Sequence, residues 1–571
     1  MDPEVDAVDY SFTLNLPGRR GSVYDAFGES YPLVKSVPVW EYHLDPVALT
    51  NTVVKPKGQP PRTREEIVRT IADALKLDYA KVLEMSHDSL HRYQKLAVSS
   101  DPEAHEILCD SKQVAGLKIE NRQVRQYFHG RRFSHVIGSV NAENVGTSGI
   151  EQRFNRDLTG VPGKIRGMKD AQQHEIYDRR IEEIEPIPGA DIYLTVDHNI
   201  QYEAETALRW GVGEYGAGSG WCIVMDSRTG AILAMASFPD FDPAAFGRAP
   251  EAARLNRVTG FTYEPGSVMK VITVAAAIDS GRVRPQTRYS TARNDERYFR
   301  LPGDGSHVWE PTMTVADAIV HSSNIVVGKI GYDLGPKTLW TYMTRFGFGQ
   351  KTGVELPGEE YGILPDWQKW DRVKWSRAPI GQGVSVTAIQ LCSAYQAIAN
   401  NGLRMKPHIV ERIVAHNGRR LYEHVPTPAG RPISEATARQ MRTIMLGVAS
   451  PAGTARRAAI RGYSVAGKTG TAQKVVNGRY SDSLYRATFC GIVPASEPRL
   501  VVLVSLDFES RQKFHQGGNS AGPIFKRIAT GALRYLMISP DRPEELLDYD
   551  DDDEFDRIME ERAQKLGNEL L

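Results

Sequence analysis

Glu264-Pro-Gly-Ser-Val-Met-Lys270 places a hydroxyl and an amine three residues apart. Pro265 and Gly266 mark a turn, and the apolar run from Ser267 to Ser280, closed by Gly281, predicts a helix. Ser267 then sits at a helix N-terminus, where free backbone N–H groups favour a developing oxyanion. Lys270 shares its face and can reach the Ser267 hydroxyl, and a serine with a positioned lysine base is a nucleophile design. The plain alternative is a capped helix carrying a solvated lysine. Val268, Met269, Val271 and Ile272 weigh against it, because they bury the helix around the amine. An amine with an ordinary pKa of about 10.4 is neutral at pH 7 only at a cost of roughly 4–5 kcal/mol. Burial and a second cation both lower that pKa, so another lysine is expected nearby, with Lys468 the candidate.

Two further stretches carry chemistry. In His321-Ser-Ser-Asn324, Ser322 and Asn324 lie just ahead of the apolar Ile325-Val-Val327. A hydroxyl and an amide at that spacing could pass a proton and hold a peptide carbonyl, or simply cap a helix. Gly462-Tyr-Ser-Val-Ala-Gly-Lys-Thr-Gly-Thr-Ala-Gln473 fits the phosphate-cradling pattern G-x-x-x-x-G-K-[ST]. That loop needs a core strand before it and a helix after it. Here Arg456-Arg-Ala-Ala-Ile-Arg461 precedes, and Asn477-Gly478 signals a hairpin. Lys468 to Val476 therefore reads as a strand, with Lys468 and Gly470 on one side and Thr469 and Thr471 on the other. Along its edge the lysine and the hydroxyls converge on a carboxylate, while Gly470 admits a substrate backbone.

The elements that must position these groups are legible beyond Glu185-Pro-Ile-Pro-Gly189, which reads as a domain boundary. Ile192–Val196 is a strand, and Asp197 caps a helix beginning near Ile200. Trp221–Met225 and Ala231–Met235 form a hairpin about Asp226–Gly230, and Ala487–Val493 with Leu500–Leu506 form a second. Pro523 opens a helix through Leu536. Strands at both ends of the region and helices between them predict an α+β fold, an antiparallel sheet covered by helices. Residues 1–190 are mixed and loop-rich, with one helix over Thr63–Leu75 on Ile67, Val68, Ile71 and Leu75. The expected domains are 1–190, 191–540 and a tail, 541–571, whose acidic run Asp550–Glu554, followed by a polar end that could be helical, suggests a solvated, partly disordered segment.

The 571 residues suffice for two or three domains, and 70 Lys+Arg against 70 Asp+Glu give no hint of nucleic-acid binding. Four scattered cysteines, Cys109, Cys222, Cys392 and Cys490, argue against a disulfide framework. No run approaches the roughly 20 apolar residues of a membrane span. His87 and His91, four apart, lack a third metal ligand. Gly211-Val-Gly-Glu-Tyr-Gly216 matches G-x-G-x-x-G but stands between a helix and a strand, the reverse of a dinucleotide site, and reads as a flexible turn.

Ser267-Val-Met-Lys270, Ser322-Ser-Asn324 and Lys468-Thr-Gly-Thr471, in that order, resemble the three active-site motifs of penicillin-binding transpeptidases. Gly381-Gln-Gly383, Asp226–Gly230 and Ala521-Gly-Pro-Ile-Phe525 look like further landmarks of that family. Arg20-Gly-Ser-Val-Tyr-Asp25, His135-Val-Ile-Gly138 and Gly149-Ile-Glu151 resemble the pedestal (dimerisation-like) domain of its class B, monofunctional members. The spacing from Gly138 to Glu151 leans towards the division-type branch. Ala26, where arginine is usual, and Phe128, where proline is common, are departures confined to the pedestal.

The resemblance implies that Ser267 attacks the penultimate D-alanine carbonyl of a peptidoglycan stem peptide and that Lys270 is the base. It gives Ser322 a proton shuttle's role and Asn324 an orienting one. Lys468, Thr469 and Thr471, beside Gly470, would bind the terminal carboxylate, and the Ser267 and Thr471 N–H groups would form an oxyanion hole. It implies no cofactor and no metal, inhibition by β-lactams, and a place on the extracytoplasmic side of a bacterial inner membrane. A membrane glycan polymerase and division or elongation proteins would be its partners. A membrane anchor normally precedes the Arg-Gly motif, and 19 residues precede Arg20 here, so an anchor removed or a displaced start is expected. A D,D-carboxypeptidase, a serine β-lactamase and a catalytically silent β-lactam-binding scaffold or sensor remain as alternatives.

Overall fold

The computed structural model describes the chain except residues 1–10, 50–61, 110–115, 170–174, 306–308 and 570–571 and positions 89, 92, 477, 511, 513, 514 and 550. Two compact units emerge, and neither is a single stretch of chain. One comprises Met1–Ser22, Val34–Phe128 and Arg156–Ala190, and the other Val23–Leu33, His129–Asn155 and Asp191–Leu571. The last crossing from one unit to the other falls between Ala190 and Asp191. Four earlier crossings, at 22/23, 33/34, 128/129 and 155/156, have no counterpart in the expected division.

In the first unit Ser11–Leu16 pairs antiparallel with Gly163–Lys169. The long strand Pro32–Leu44, from Val34 onward, pairs antiparallel with Leu117–Tyr127 and with Gln94–Ser99. Its Tyr42 and Leu44 form a core with Ile67, Val68 and Ile71 of the helix Arg64–Leu75. That helix starts where the sequence predicts, on a capping box between Thr63 and Glu66. His87 ends the next helix, so His87 and His91 do not share one. His87 meets Arg64, and His91 meets Asp88.

The second unit is built on five antiparallel strands. Helix α1 (His198–Tyr215) is capped by Asp197, which accepts from the N–H groups of Asn199 and Ile200. Strands β1 (Ser219–Asp226) and β2 (Ile232–Phe238) follow, and Asp226 Oδ1 closes their turn on the Arg228 and Thr229 N–H groups. Helices α2 (Lys270–Asp279), α3 (Val315–Val320), α4 (Asn324–Leu334) and α5 (Ala388–Ala399) occupy the middle of the sequence. Strands β3 (Ala466–Val476), β4 (Arg479–Val493) and β5 (Leu500–Asp507) complete the sheet, and helix α6 (Ala521–Tyr535) follows. The strand order is β2-β1-β5-β4-β3, an antiparallel sheet with helices on both faces, as the α+β reading expected. The two faces separate at successive residues of β4: Phe489 packs edge-on to Phe525 of α6, while Cys490 lies beside Cys392 of α5. Burial on both sides explains the unbroken apolar runs of β1 and β5. Cys222, Cys392 and Cys490 are buried free thiols.

Two expectations need correction. Gly211–Tyr215 is the last part of α1 rather than a flexible turn, and Gly216 ends the helix in the left-handed region. Gly211 is there because α6 crosses at that point: a Cβ would lie 2.1 Å from Ile524 Cδ1. The carboxyl-terminal segment is not a disordered tail either. Its residues Asp552–Glu569 form helix α7. Glu560 grips Arg456 through two oxygens, Asp552 meets Arg461 and Arg534, and Asp556 meets Lys526, with Phe555 buried. The acidic run has an arginine-rich counterpart about a hundred residues upstream, which local composition does not reveal. Asp550, from that run, and Asn477, from the hairpin signal, lie outside the described residues. No helix among the described residues is long and apolar enough to cross a membrane.

Candidate active site

Ser267 lies in a single 3-10 turn, Gly266–Met269, that runs directly into α2. The turn is held from outside. Gly266 N–H donates to Gly381 O at 3.1 Å, and Tyr395 donates its hydroxyl to Val268 O at 2.9 Å. At Gly381, with φ of 80°, a Cβ would stand 2.2 Å from Gly266 O, so glycine permits this approach. Glu264, just before the turn, accepts from Gly383 N–H at 2.8 Å. The Gly381-Gln-Gly383 stretch thus braces the serine from both sides.

Lys270 is the first residue of α2 and is fully buried, at 0% exposure. Its Nζ donates to Ser322 O at 2.5 Å and to Ser322 Oγ at 3.2 Å. Ser322 has φ of 59°, a left-handed conformation unusual for a residue with a side chain, and it turns both oxygens onto the lysine. Ser323, not Asn324, caps α4 by accepting from Val326 N–H. The cap therefore falls on Ser323, which leaves the Ser322 hydroxyl on Lys270 and the Asn324 side chain on Gly303.

Asp304 is a residue that sequence reasoning missed. Its Oδ1 accepts from the N–H groups of Asn324 (2.5 Å) and Ile325 (3.2 Å), and its Oδ2 accepts from Ser323 Oγ (2.7 Å) and Trp309 Nε1 (2.9 Å). Asn324 Nδ2 donates to the neighbouring Gly303 O at 2.7 Å. One loop carboxylate therefore anchors the whole Ser-Ser-Asn turn. Pro302-Gly-Asp-Gly305 reads only as a turn, and nothing local marks its partner.

Lys468 lies on β3 and is also at 0% exposure, with Nζ 3.2 Å from Thr469 O and 3.4 Å from Thr469 Oγ1. Burial brings the Lys270 pKa down to about 7, and the Asp304 carboxylate opposes that fall. Burial takes Lys468 well below its ordinary value, and the charge of Lys270 pushes it further. The expected second lysine is in place, but the influence runs from Lys270 to Lys468: burial is the larger cause for Lys468 and alone lowers Lys270. Lys270 therefore gives up its proton near neutral pH far more readily than an exposed lysine.

Thr469 shares a hydrogen bond of 2.9 Å with Thr454, another unforeseen partner, and Thr471 accepts from Gly517 N–H at 3.2 Å. Gly470 lies against the serine turn. A Cβ there would lie 3.2 Å from Pro265 O and 3.3 Å from Val268 Cγ1, so its lack of a side chain admits the serine turn against the strand. A cavity of about 310 Å³ opens where these parts meet, lined by Ser267, Asn324, Gln382, Thr471, Gln473 and Glu264. Ser267, Asn324 and Thr471 face it together, with Lys270 and Ser322 joined behind them. Such a site can deprotonate a serine, hold an acyl group and accept an anion at the β3 end.

Residues 220–530 match the penicillin-binding protein transpeptidase domain family, and residues 15–194 match the penicillin-binding protein dimerisation domain family. Among relatives, the probable peptidoglycan D,D-transpeptidase PenA of Neisseria meningitidis is 33% identical over 440 residues, covering 76% of this chain and 73% of the relative. Stage V sporulation protein D of Bacillus subtilis is 31% identical over 547 residues, 93% of this chain and 80% of the relative. The crystal structure of penicillin-binding protein 3 from Mycobacterium tuberculosis complexed with aztreonam superposes with a TM-score of 0.70 at 25% identity, covering 93% of this chain and 99% of that one. A peptidoglycan synthetase from Bifidobacterium adolescentis gives 0.72 at 25% identity, over 93% and 98%. With a catalytic domain behind a dimerisation domain and relatives matched across most of their length, the chain belongs to the class B penicillin-binding protein transpeptidases.

Proposed function

We propose that this chain is a peptidoglycan D,D-transpeptidase working through a serine acyl-enzyme. The observation that carries the reading is Lys270, a wholly buried amine with a pKa of about 7, bound to Ser322 and three residues from Ser267. Ser267 Oγ attacks the carbonyl of the penultimate D-alanine as Lys270 takes its proton. Backbone N–H groups of Ser267 and Thr471 hold the oxyanion. The C–N bond breaks, Ser322 passes a proton to the departing D-alanine, and an ester remains on Ser267. A neutral acceptor amine attacks that ester, a new C–N bond forms as the ester C–O bond breaks, and the amine's proton passes through Lys270 to the Ser267 oxygen, restoring its hydroxyl. Asn324 orients the peptide, and Lys468, Thr469 and Thr471 hold the terminal carboxylate, with Gly470 seating the strand against the serine turn.

β-Lactams acylate Ser267 in the same way and leave slowly. The substrate places the enzyme on the outer side of the cytoplasmic membrane, beside a membrane glycan polymerase and division or elongation proteins. The test is the fate of a D-Ala-D-Ala stem pentapeptide offered together with an amine acceptor. A transpeptidase forms a cross-linked product that rises with acceptor concentration. Hydrolysis alone, at every acceptor concentration, would make the chain a carboxypeptidase.

A further inference from the structure

Glu264 is the one ionisable side chain lining the active-site cavity among the described residues. Its carboxylate accepts from Gly383 N–H at 2.8 Å and from the Tyr480 hydroxyl at 3.1 Å, so it is fixed in place. Both donors are neutral, and among the described residues no lysine, arginine or histidine forms an ion pair with it. Arg486, the cation that acts on it from a distance, pairs with Asp507 at 3.1 Å. A carboxylate held at a cavity wall with neutral partners has electrostatic capacity left for a cationic ligand. Burial raises its pKa, which an arriving positive charge would reverse.

We propose that Glu264, with the Tyr480 hydroxyl beside it, forms a subsite that selects a primary ammonium group on a stem peptide. The subsite rests on the transpeptidase reading and adds the charge that the substrate must carry. The carboxylate end of the donor goes to β3, where Lys468 and two threonine hydroxyls gather, and Glu264 would repel it. A primary amine with a pKa of about 10.4 is an ammonium ion at neutral pH. Two groups could supply it: the acceptor amine, which arrives as an ammonium and gives a proton to the neutral Lys270 amine before its lone pair attacks the ester, or a side-chain ammonium on the donor peptide. Glu264 is thus a specificity-determining residue rather than a member of the proton-transfer set.

The test uses the full chain and Glu264→Gln, which keeps an oxygen to accept from Gly383 while removing the charge. For the acceptor arm, the acyl-enzyme is captured by a stem peptide bearing a free ammonium and, in parallel, by hydroxylamine, a small nucleophile that is neutral at pH 7. For the donor arm, acylation by ampicillin, which carries an ammonium, is compared with acylation by benzylpenicillin, which does not. The subsite predicts a fall of about tenfold in one of the two ratios, and which ratio falls names the source. Glu264→Asp should recover part of it. Ratios unchanged in the Gln variant, or a uniform loss with every probe, would overturn the proposal and leave Glu264 as a brace for Gly383. If the wild type itself takes neither penicillin nor nucleophile, the transpeptidase reading fails first, and the subsite fails with it.

Discussion

The chemistry of the site turns on where Lys270 keeps its proton. An amine that must accept a proton from Ser267 is idle while charged, and burial puts its midpoint near pH 7. The rate of acylation by benzylpenicillin should therefore climb about tenfold per pH unit below 7 and level off above it. A rate flat from pH 5.5 to 8.5 would remove Lys270 from the role of base. Asp304 supplies a sharper check, because its carboxylate opposes the fall in the Lys270 pKa. Asp304→Asn takes that charge away, so the midpoint should move below 7. The same change loosens the Ser322–Asn324 turn, and the plateau should drop by up to about 100-fold. A midpoint that stays fixed or rises would contradict this electrostatic account.

At the scale of elements, what was legible in the sequence was local. The turn Asp226–Gly230, the cap at Asp197, the capping box at Thr63 and the start of the serine helix each follow from neighbours a few residues apart. Asp304 and Thr454 were not legible, because each meets its motif residue 15 or more positions away and carries no motif of its own. Gly211 was misread because a glycine demanded by a helix crossing looks the same in sequence as one demanded by a turn. The acidic tail was misread because its composition says nothing of Arg456, Arg461, Lys526 and Arg534, on which α7 lies. Those ion pairs are partly exposed and worth little singly, while Phe555 adds apolar burial. Removing residues 552–571 should cost about 1–3 kcal/mol, read from the denaturant midpoint. High salt should narrow the difference from the full chain. An unchanged midpoint would mean that α7 contributes nothing to stability.

For the whole molecule, both family matches and the fold agree on one enzyme class, while the residue roles rest on the geometry around Ser267. The unit that holds the site draws in Val23–Leu33 and His129–Asn155 as well as the long carboxyl-terminal stretch, so cutting the chain at residue 190 would strip strand and helix segments from it. The central claim is that Ser267 is an activated nucleophile whose ester is slow to leave. The measurement that meets it most directly is the intact mass of the protein after benzylpenicillin, beside Ser267→Ala, with peptide mapping of any adduct. The account predicts one stable penicilloyl group on the wild type, mapped to Ser267, and none on the variant. An unmodified wild type with the drug intact would mean a silent scaffold, an unmodified wild type with the drug hydrolysed would mean a β-lactamase, and either result would contradict the account.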